Sequence, residues 1–209
     1  MDLRLYLVTD RELSKGRSNL DIVKAAVAGG VTVVQLRDKS ASAAELIRQA
    51  RSMLPFLRAH GVPLIVNDHL DVALAVESDG VHLGQDDMPL AMARRIAGDQ
   101  LVIGVSAESV DDAVAAADGG ADYIGVSPVY VTATKTDTAP ALGLEGVRAI
   151  RKAVTIPVVG IGGMNALTCA DTIRAGADGV AVVSAIVSAA EPELAAKELR
   201  AIVDEALKA

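Results

Sequence analysis

The stretch Ala115-Ala116-Ala117-Asp118-Gly119-Gly120-Ala121-Asp122-Tyr123-Ile124-Gly125-Val126 carries a pattern that recurs along the chain. An Ala-rich helical run stops at glycine, and a short apolar strand follows. The same order is found in Ala25-Ala26-Val27-Ala28-Gly29-Gly30 before Val31-Thr32-Val33-Val34, and in Arg174-Ala175-Gly176-Ala177-Asp178-Gly179 before Val180-Ala181-Val182-Val183. Glycine just past a helix end takes positive φ without a Cβ penalty, so each site reads as a helix stop leading into a strand. Working outward, short apolar runs predict strands over 3–9, 32–36, 63–67, 81–83, 101–106, 123–126, 157–161 and 179–183. Helical patterns fall over 19–28, 43–60, 71–76, 89–97, 110–119, 144–153, 165–175 and 193–207. Alternation of this kind predicts a single-domain (β/α)₈ barrel over residues 1–209, with a doubly wound open sheet as the competing architecture.

Composition agrees. The 209 residues are 51% hydrophobic, with three Tyr, one Phe and no Trp. Small and β-branched residues suit parallel strands covered by Ala-rich helices. A net charge of −7 and a pI near 4.9 speak against nucleic-acid binding, while a basic pocket for small phosphorylated substrates stays compatible. Cys169 is the lone cysteine, read as a packed thiol. No signal-peptide pattern and no 18-residue apolar run occur, so a cytoplasmic location and no membrane partner are expected. Nothing in the sequence excludes a homo-oligomer.

In such barrels the chemistry lies at the C-terminal ends of the strands. Polar residues gather there: Thr9-Asp10, Gln35 with Arg37, Asp38 and Lys39, Asn67-Asp68, His82, Gln85-Asp86-Asp87, Ser106, Ser127, Gly162-Gly163 and Ser184. Arg37 and Lys39 are two apart, so an extended chain points both the same way. Asp68 and Asp87 follow neighbouring strands and face those cations. Two carboxylates beside cations fit Mg²⁺ shared with a polyphosphate; general acid/base work or a structural salt-bridge network are the alternatives. Within Gln85-Asp86-Asp87, alternation sends one carboxylate inward. A loop of about seventeen residues after the sixth strand contains Thr132-Ala133-Thr134-Lys135, hydroxyl-rich around a cation, as a phosphate wrap would be. Gly162-Gly163 and Val183-Ser184 lie where barrels bind a monophosphate through backbone N–H groups. His60 reads as solvated, His69 as a cap or packing group, and His82 as an orienting or catalytic group at the rim.

Taken together in order, Leu5-Tyr6-Leu7-Val8-Thr9-Asp10, Val34-Gln35-Leu36-Arg37-Asp38-Lys39, Ile65-Val66-Asn67-Asp68, Gly80-Val81-His82-Leu83-Gly84-Gln85-Asp86-Asp87, Gly104-Val105-Ser106, Thr132-Ala133-Thr134-Lys135, Gly160-Ile161-Gly162-Gly163 and Val183-Ser184-Ala185-Ile186 resemble the thiamine-phosphate synthases. The resemblance implies a transferase that joins an aminopyrimidine diphosphate to a thiazole phosphate with Mg²⁺. It implies that Gln35, Leu36, Arg37, Asp38, Lys39, Asn67, Ser106 and Lys135 hold the pyrimidine substrate. Thr132, Ala133, Thr134, Gly163, Val183 and Ser184 would hold the thiazole phosphate, and Asp68 and Asp87 the metal. Arg37, Lys39, Lys135 and Ser106 are the candidate catalytic residues. In that family pyrophosphate leaves first, and the thiazole nitrogen captures a pyrimidinylmethyl cation.

The chain departs from the family pattern at Glu108, where many relatives have His, at Ser127-Pro128, where Gly-Pro is frequent, and at Val131. A thiazole tautomerase-like paralogue would rely on a His where Glu108 stands. A non-catalytic phosphate-binding barrel would tolerate loss of a metal ligand, and none is lost.

Overall fold

The computed structural model describes residues 1–131 and 140–208. Eight parallel strands close into a barrel in sequence order. They are β1 (Leu5–Val8), β2 (Val33–Leu36), β3 (Leu64–Asn67), β4 (Gly80–Leu83), β5 (Val102–Ala107), β6 (Tyr123–Val126), β7 (Val158–Ile161) and β8 (Gly179–Val182). Leu5 lies opposite Val180, which shuts the ring and rules out the open sheet. Among the described residues the helices are α1 (Asn19–Ala28), α2 (Ala43–Ala59), α3 (Leu70–Val76), α4 (Leu90–Ala97), α5 (Val110–Asp118), α6 (Gly143–Ala153), α7 (Cys169–Arg174), α8 (Ser184–Val187) and α9 (Pro192–Ala206). None is long and apolar enough to cross a membrane.

The strands read as continuous apolar runs because both of their faces are buried. In β1, Leu5 and Leu7 join the layer between barrel and helices, while Tyr6 and Val8 join a separate interior cluster with Val33, Ile65, Tyr123, Val159 and Ala181. Cys169 is packed in the outer layer, where burial pushes its thiol up to about 12.

Three sequence expectations change. At the two helix stops that end in Gly-Gly the first glycine is not the left-handed one: Gly29 has φ −79° and Gly119 −75°, while Gly30, at +101°, and Gly120, at +85°, make the turns. Gly29 is required by packing instead, since a Cβ there would sit 2.3 Å from the Glu193 carbonyl oxygen and 2.6 Å from Ala196 Cβ. Helix α7 starts at Cys169 rather than Asn165, because the Asn165 side chain accepts the Leu167 N–H at 2.9 Å and holds a turn there. The four-residue α8 was not anticipated; one turn is too short to show a helical period.

At the N-terminal end of the barrel one device repeats four times. The residue just before each even-numbered strand bonds the start of the preceding odd strand. Thr32 Oγ1 takes the Leu5 N–H, Asp79 Oδ2 the Leu64 N–H, Asp122 Oδ2 the Ile103 N–H and Asp178 Oδ2 the Val158 N–H, at 2.7–3.1 Å. Two of these aspartates also hold a helix. Arg94 of α4 pairs with Asp122 at 2.7 Å, and Arg151 of α6 with Asp178 at 2.9 Å. Strand-end N–H groups are thus satisfied and the helices are tied to the end of the barrel opposite the polar rim.

Candidate active site

A cavity of about 600 Å³ opens at the C-terminal ends of the strands. Gln35, Arg37, Lys39, Asn67, Asp68, Asp87, Ser106, Gly163, Val183 and Ser184 line it. Leu36 and Asp38 do not. Alternation past β2 turns them outward: Leu36 is buried in the barrel–helix layer, and the Asp38 carboxylate accepts from Ser40 Oγ at 2.9 Å and Gln49 Nε2 at 3.1 Å. Asp38 lines a smaller neighbouring cavity with Lys39, Asn67 and Asp68. Thr132, Ala133, Thr134 and Lys135 lie outside the described residues.

The rim over β2–β4 is built from charge. Arg37 pairs with Asp10 at 3.0 Å, and its backbone is held by Thr9, whose hydroxyl accepts the Arg37 N–H at 2.9 Å and donates to the Arg37 carbonyl at 3.0 Å. Lys39 is exposed. Asp68 stands at φ +63°, a left-handed conformation uncommon for a side chain other than glycine, and its N–H donates to the His82 carbonyl at 2.8 Å. That kink turns the Asp68 carboxyl toward Asp87. Burial, and then the adjoining Asp87 carboxylate, push its pKa up to about 6.

Asp87 is held in turn by the Gly84 N–H, which donates to Oδ2 at 2.7 Å. A Cβ at Gly84 would come within 2.9 Å of the same oxygen, so the glycine admits the carboxylate. Residues 84–88 form a turn rather than extended chain, and both Asp86 and Asp87 reach the cavity. Alternation therefore does not choose between them; the hydrogen bond and the contact with Asp68 single out Asp87. Among the described residues neither Asp68 nor Asp87 is in an ion pair, and there is no cluster of three or more metal-ligating side chains. Two close carboxylates without a cation, in a site open to phosphate oxygens and water, form a donor set that fits Mg²⁺.

The floor is neutral and continuously hydrogen-bonded. Gln35 Nε2 donates to the Tyr6 hydroxyl at 2.8 Å, and the Tyr6 and Tyr123 hydroxyls are 2.9 Å apart. Tyr123 is 3.0 Å from His82 Nδ1, and His82 Nε2 is 3.0 Å from Ser106 Oγ. Burial pushes the His82 imidazole down to about 4, which keeps it uncharged. Two glycines make room: a Cβ at Gly104 would overlap the Tyr123 ring at 2.1 Å, and one at Gly125 would sit 3.0 Å from His82 Cε1. Of the other histidines, His60 is exposed, and His69 is exposed with no side-chain cap bond. Sequence reasoning missed Tyr6 and Tyr123 as part of the site. Their signal was available: two of the chain's three tyrosines stand at inward-facing strand positions.

The rim over β7 and β8 uses backbone. Gly162 and Gly163 both have positive φ, +96° and +70°. The Gly163 carbonyl accepts from Asn165 Nδ2 at 3.0 Å and Thr168 Oγ1 at 2.9 Å. Val129 N donates to the Ile161 carbonyl and Tyr130 N to the Gly162 carbonyl, so the chain entering the Thr-rich segment runs alongside these glycines. Ser184 is the first residue of α8, whose far end is held by Arg17 through the Val187 and Ala189 carbonyls at 2.7 and 2.8 Å. Glu108 faces the cavity half-buried, its N–H bonded to Asp112.

Residues 5–186 match the family model described as thiamine monophosphate synthase. The chain is 55% identical to the thiamine-phosphate synthase of Chloroflexus aurantiacus, covering 97% of this chain and 94% of the relative. It is 49% identical to that of Albidiferax ferrireducens, covering 97% and 92%. The solved structure of a thiamine phosphate pyrophosphorylase from Pyrococcus furiosus superposes with a TM-score of 0.91 at 40% identity, covering 99% of this chain and 98% of that one. With the barrel and its rim residues in place, these likenesses make the chain a member of the thiamine-phosphate synthase family, a family of transferases.

Proposed function

We propose that this barrel condenses 4-amino-2-methyl-5-pyrimidinylmethyl diphosphate with 4-methyl-5-(2-phosphoethyl)thiazole, giving thiamine phosphate and pyrophosphate. The observation that carries the reading is one cavity with two unlike rims: the Asp68–Asp87 carboxylates, in no ion pair among the described residues, on the rim that also bears Arg37 and Lys39, and the glycine-rich turn with Ser184 across from them. At about 600 Å³ it is in the range of small-molecule sites.

In this reading Asp68 and Asp87 hold Mg²⁺, which neutralises diphosphate oxygens when bound. Arg37, Lys39 and Lys135 hold the same leaving group. The C–O bond between the pyrimidinylmethyl carbon and the diphosphate breaks, and its electron pair leaves with pyrophosphate. The thiazole nitrogen then gives its lone pair to that carbon, forming the C–N bond. Preorganised cations aimed at the charge that develops on the departing oxygens favour ionisation. No proton is removed from either carbon, so the neutral floor is consistent with the chemistry. Thr132, Ala133, Thr134, Gly163, Val183 and Ser184 hold the thiazole phosphate, while Gln35, Leu36, Asp38, Asn67 and Ser106 complete the pyrimidine subsite. Because Leu36 and Asp38 point away from the cavity, their part falls to backbone atoms.

The test is direct. The purified protein is incubated with both phosphorylated precursors, with Mg²⁺ or with chelator. Thiamine phosphate and pyrophosphate should form in equal amounts, and only with Mg²⁺. Absence of both products in the presence of Mg²⁺ would overturn the reading.

A further inference from the structure

We propose that Tyr6, Tyr123 and His82 are positioning residues that fix the proton order across the barrel floor, so that the Ser106 hydroxyl meets the bound pyrimidine diphosphate as a hydrogen-bond donor. The proposal rests on the substrate reading above and adds to it the residues that set the polarity of one contact. Five strands contribute to a single chain: Gln35 from β2, Tyr6 from β1, Tyr123 from β6, His82 from β4 and Ser106 from β5, with every link between 2.8 and 3.0 Å. The rings fit only because residues 104 and 125 carry no side chain.

The direction follows from counting protons. Gln35 Nε2 can only donate, so the Tyr6 oxygen accepts from it and the single Tyr6 proton is free for Tyr123. Tyr123 then passes its own proton to His82 Nδ1. Accepting at Nδ1 leaves that nitrogen without a proton, so the one N–H of the imidazole is at Nε2, donating to Ser106 Oγ. The Ser106 proton is left for the cavity, which Ser106 lines. The reverse order would have Tyr6 accept from both Gln35 and Tyr123. Its own proton would then have no acceptor among the described residues, in an interior shared with Val8, Val33 and Ile65. A buried donor left unmet is the costlier arrangement. At the other end of the chain, the Gln35 side-chain oxygen Oε1 accepts no hydrogen bond among the described residues, so the cavity, which Gln35 lines, is offered an acceptor at Gln35 and a donor at Ser106.

Two measurements test this. The first is a double-mutant cycle on steady-state kinetics. Tyr123→Phe should lower kcat/KM for the pyrimidine diphosphate about tenfold, the equivalent of one hydrogen bond, and leave KM for the thiazole phosphate unchanged. Added to Ser106→Ala, it should change kcat/KM less than about twofold, because it acts only through the Ser106 hydroxyl. His82→Gln, which keeps an N–H near the Nε2 position, should recover most of the activity that His82→Asn loses. A full tenfold effect of Tyr123→Phe in the Ser106→Ala background would make the chain merely structural and overturn the proposal. The second measurement needs no turnover. ¹⁵N imidazole NMR, with the His82 signal assigned by its loss in His82→Gln, should show the Nε2–H tautomer in the wild type and a mixture in Tyr123→Phe. An Nδ1–H tautomer in the wild type would also overturn the proposal, whether or not the protein makes thiamine phosphate.

Discussion

The two ends of this barrel treat charge in opposite ways. At the N-terminal end, Asp122 and Asp178 each take a strand N–H and an arginine from a covering helix. At the C-terminal end, Asp68 and Asp87 face one another without a cation among the described residues, and Asp68 is raised to about 6. Asp122 and Asp178 are satisfied by partners within the chain, whereas Asp68 and Asp87 have no ion-pair partner among the described residues. Carboxylates kept close against their own repulsion point to a ligand, whereas paired ones account for themselves.

The strongest way to break this comparison is Asp87→Ala. Because Asp87 is read as a metal ligand, kcat/KM should fall by about 10³-fold or more at saturating Mg²⁺, in line with losing a preorganised electrostatic group. Removing a like charge beside Asp68 should leave the thermal midpoint unchanged or raise it. A variant that instead lost stability in proportion to activity would show Asp87 to be a structural group like those at the opposite end.

Asp178→Ala is the mirror experiment. It leaves the Val158 N–H and Arg151 without their partner, and should cost about 2 kcal/mol of unfolding free energy in urea titrations. Most of that comes from the strand N–H, since the half-exposed ion pair contributes little. The kinetic constants should stay within about twofold of wild type. A selective loss of activity there would erase the division between the two ends.

Gly163→Ala probes the uncharged rim. At φ +70°, and with a Cβ 2.7 Å from Tyr130 Cβ, the methyl group must push the glycine turn away from the phosphate site. KM for the thiazole phosphate should rise about tenfold, roughly 1.4 kcal/mol, while KM for the pyrimidine diphosphate holds. The opposite selectivity would mean that the two substrates are placed the wrong way round.

These contrasts were unevenly legible in the sequence. The βα rhythm, the eight strands and the polar rim follow from local periodicity and glycine stops, and strand ends agree to within two residues. Pairing across the barrel is not local. The role of Asp178 depends on Val158, twenty residues away, and on an arginine from another helix. The Tyr6–Tyr123 contact spans 117 residues and becomes readable only once β1 and β6 share an interior. Leu36 entered the site reading, and Asp38 gained a substrate role beyond its place among the polar residues after the second strand, because a contiguous run was carried over whole from the family resemblance, whereas the period of the strand turns every second residue away.

The smallest expected effect is the most discriminating within the charged rim. Asp86 and Asp87 are neighbours, both reach the cavity, and both would attract a cation at long range. They differ in how they are held. Asp87 has its Oδ2 fixed by the Gly84 N–H and lies against Asp68, while Asp86 is exposed and has no side-chain hydrogen bond among the described residues. An exposed carboxylate near a metal acts mainly through a screened field, worth a few tenths of a kcal/mol at ordinary ionic strength. Asp86→Ala should therefore change kcat/KM by less than about threefold, with the Mg²⁺ concentration for half-maximal rate shifted by no more than that. The shift should shrink further as salt is raised, because screening removes what little the charge supplies. Activity titrated against Mg²⁺ at low and high salt separates the alternatives. If Asp86→Ala is inactive at both, direct coordination belongs to Asp86, and the hydrogen bond from Gly84 has been given the wrong meaning.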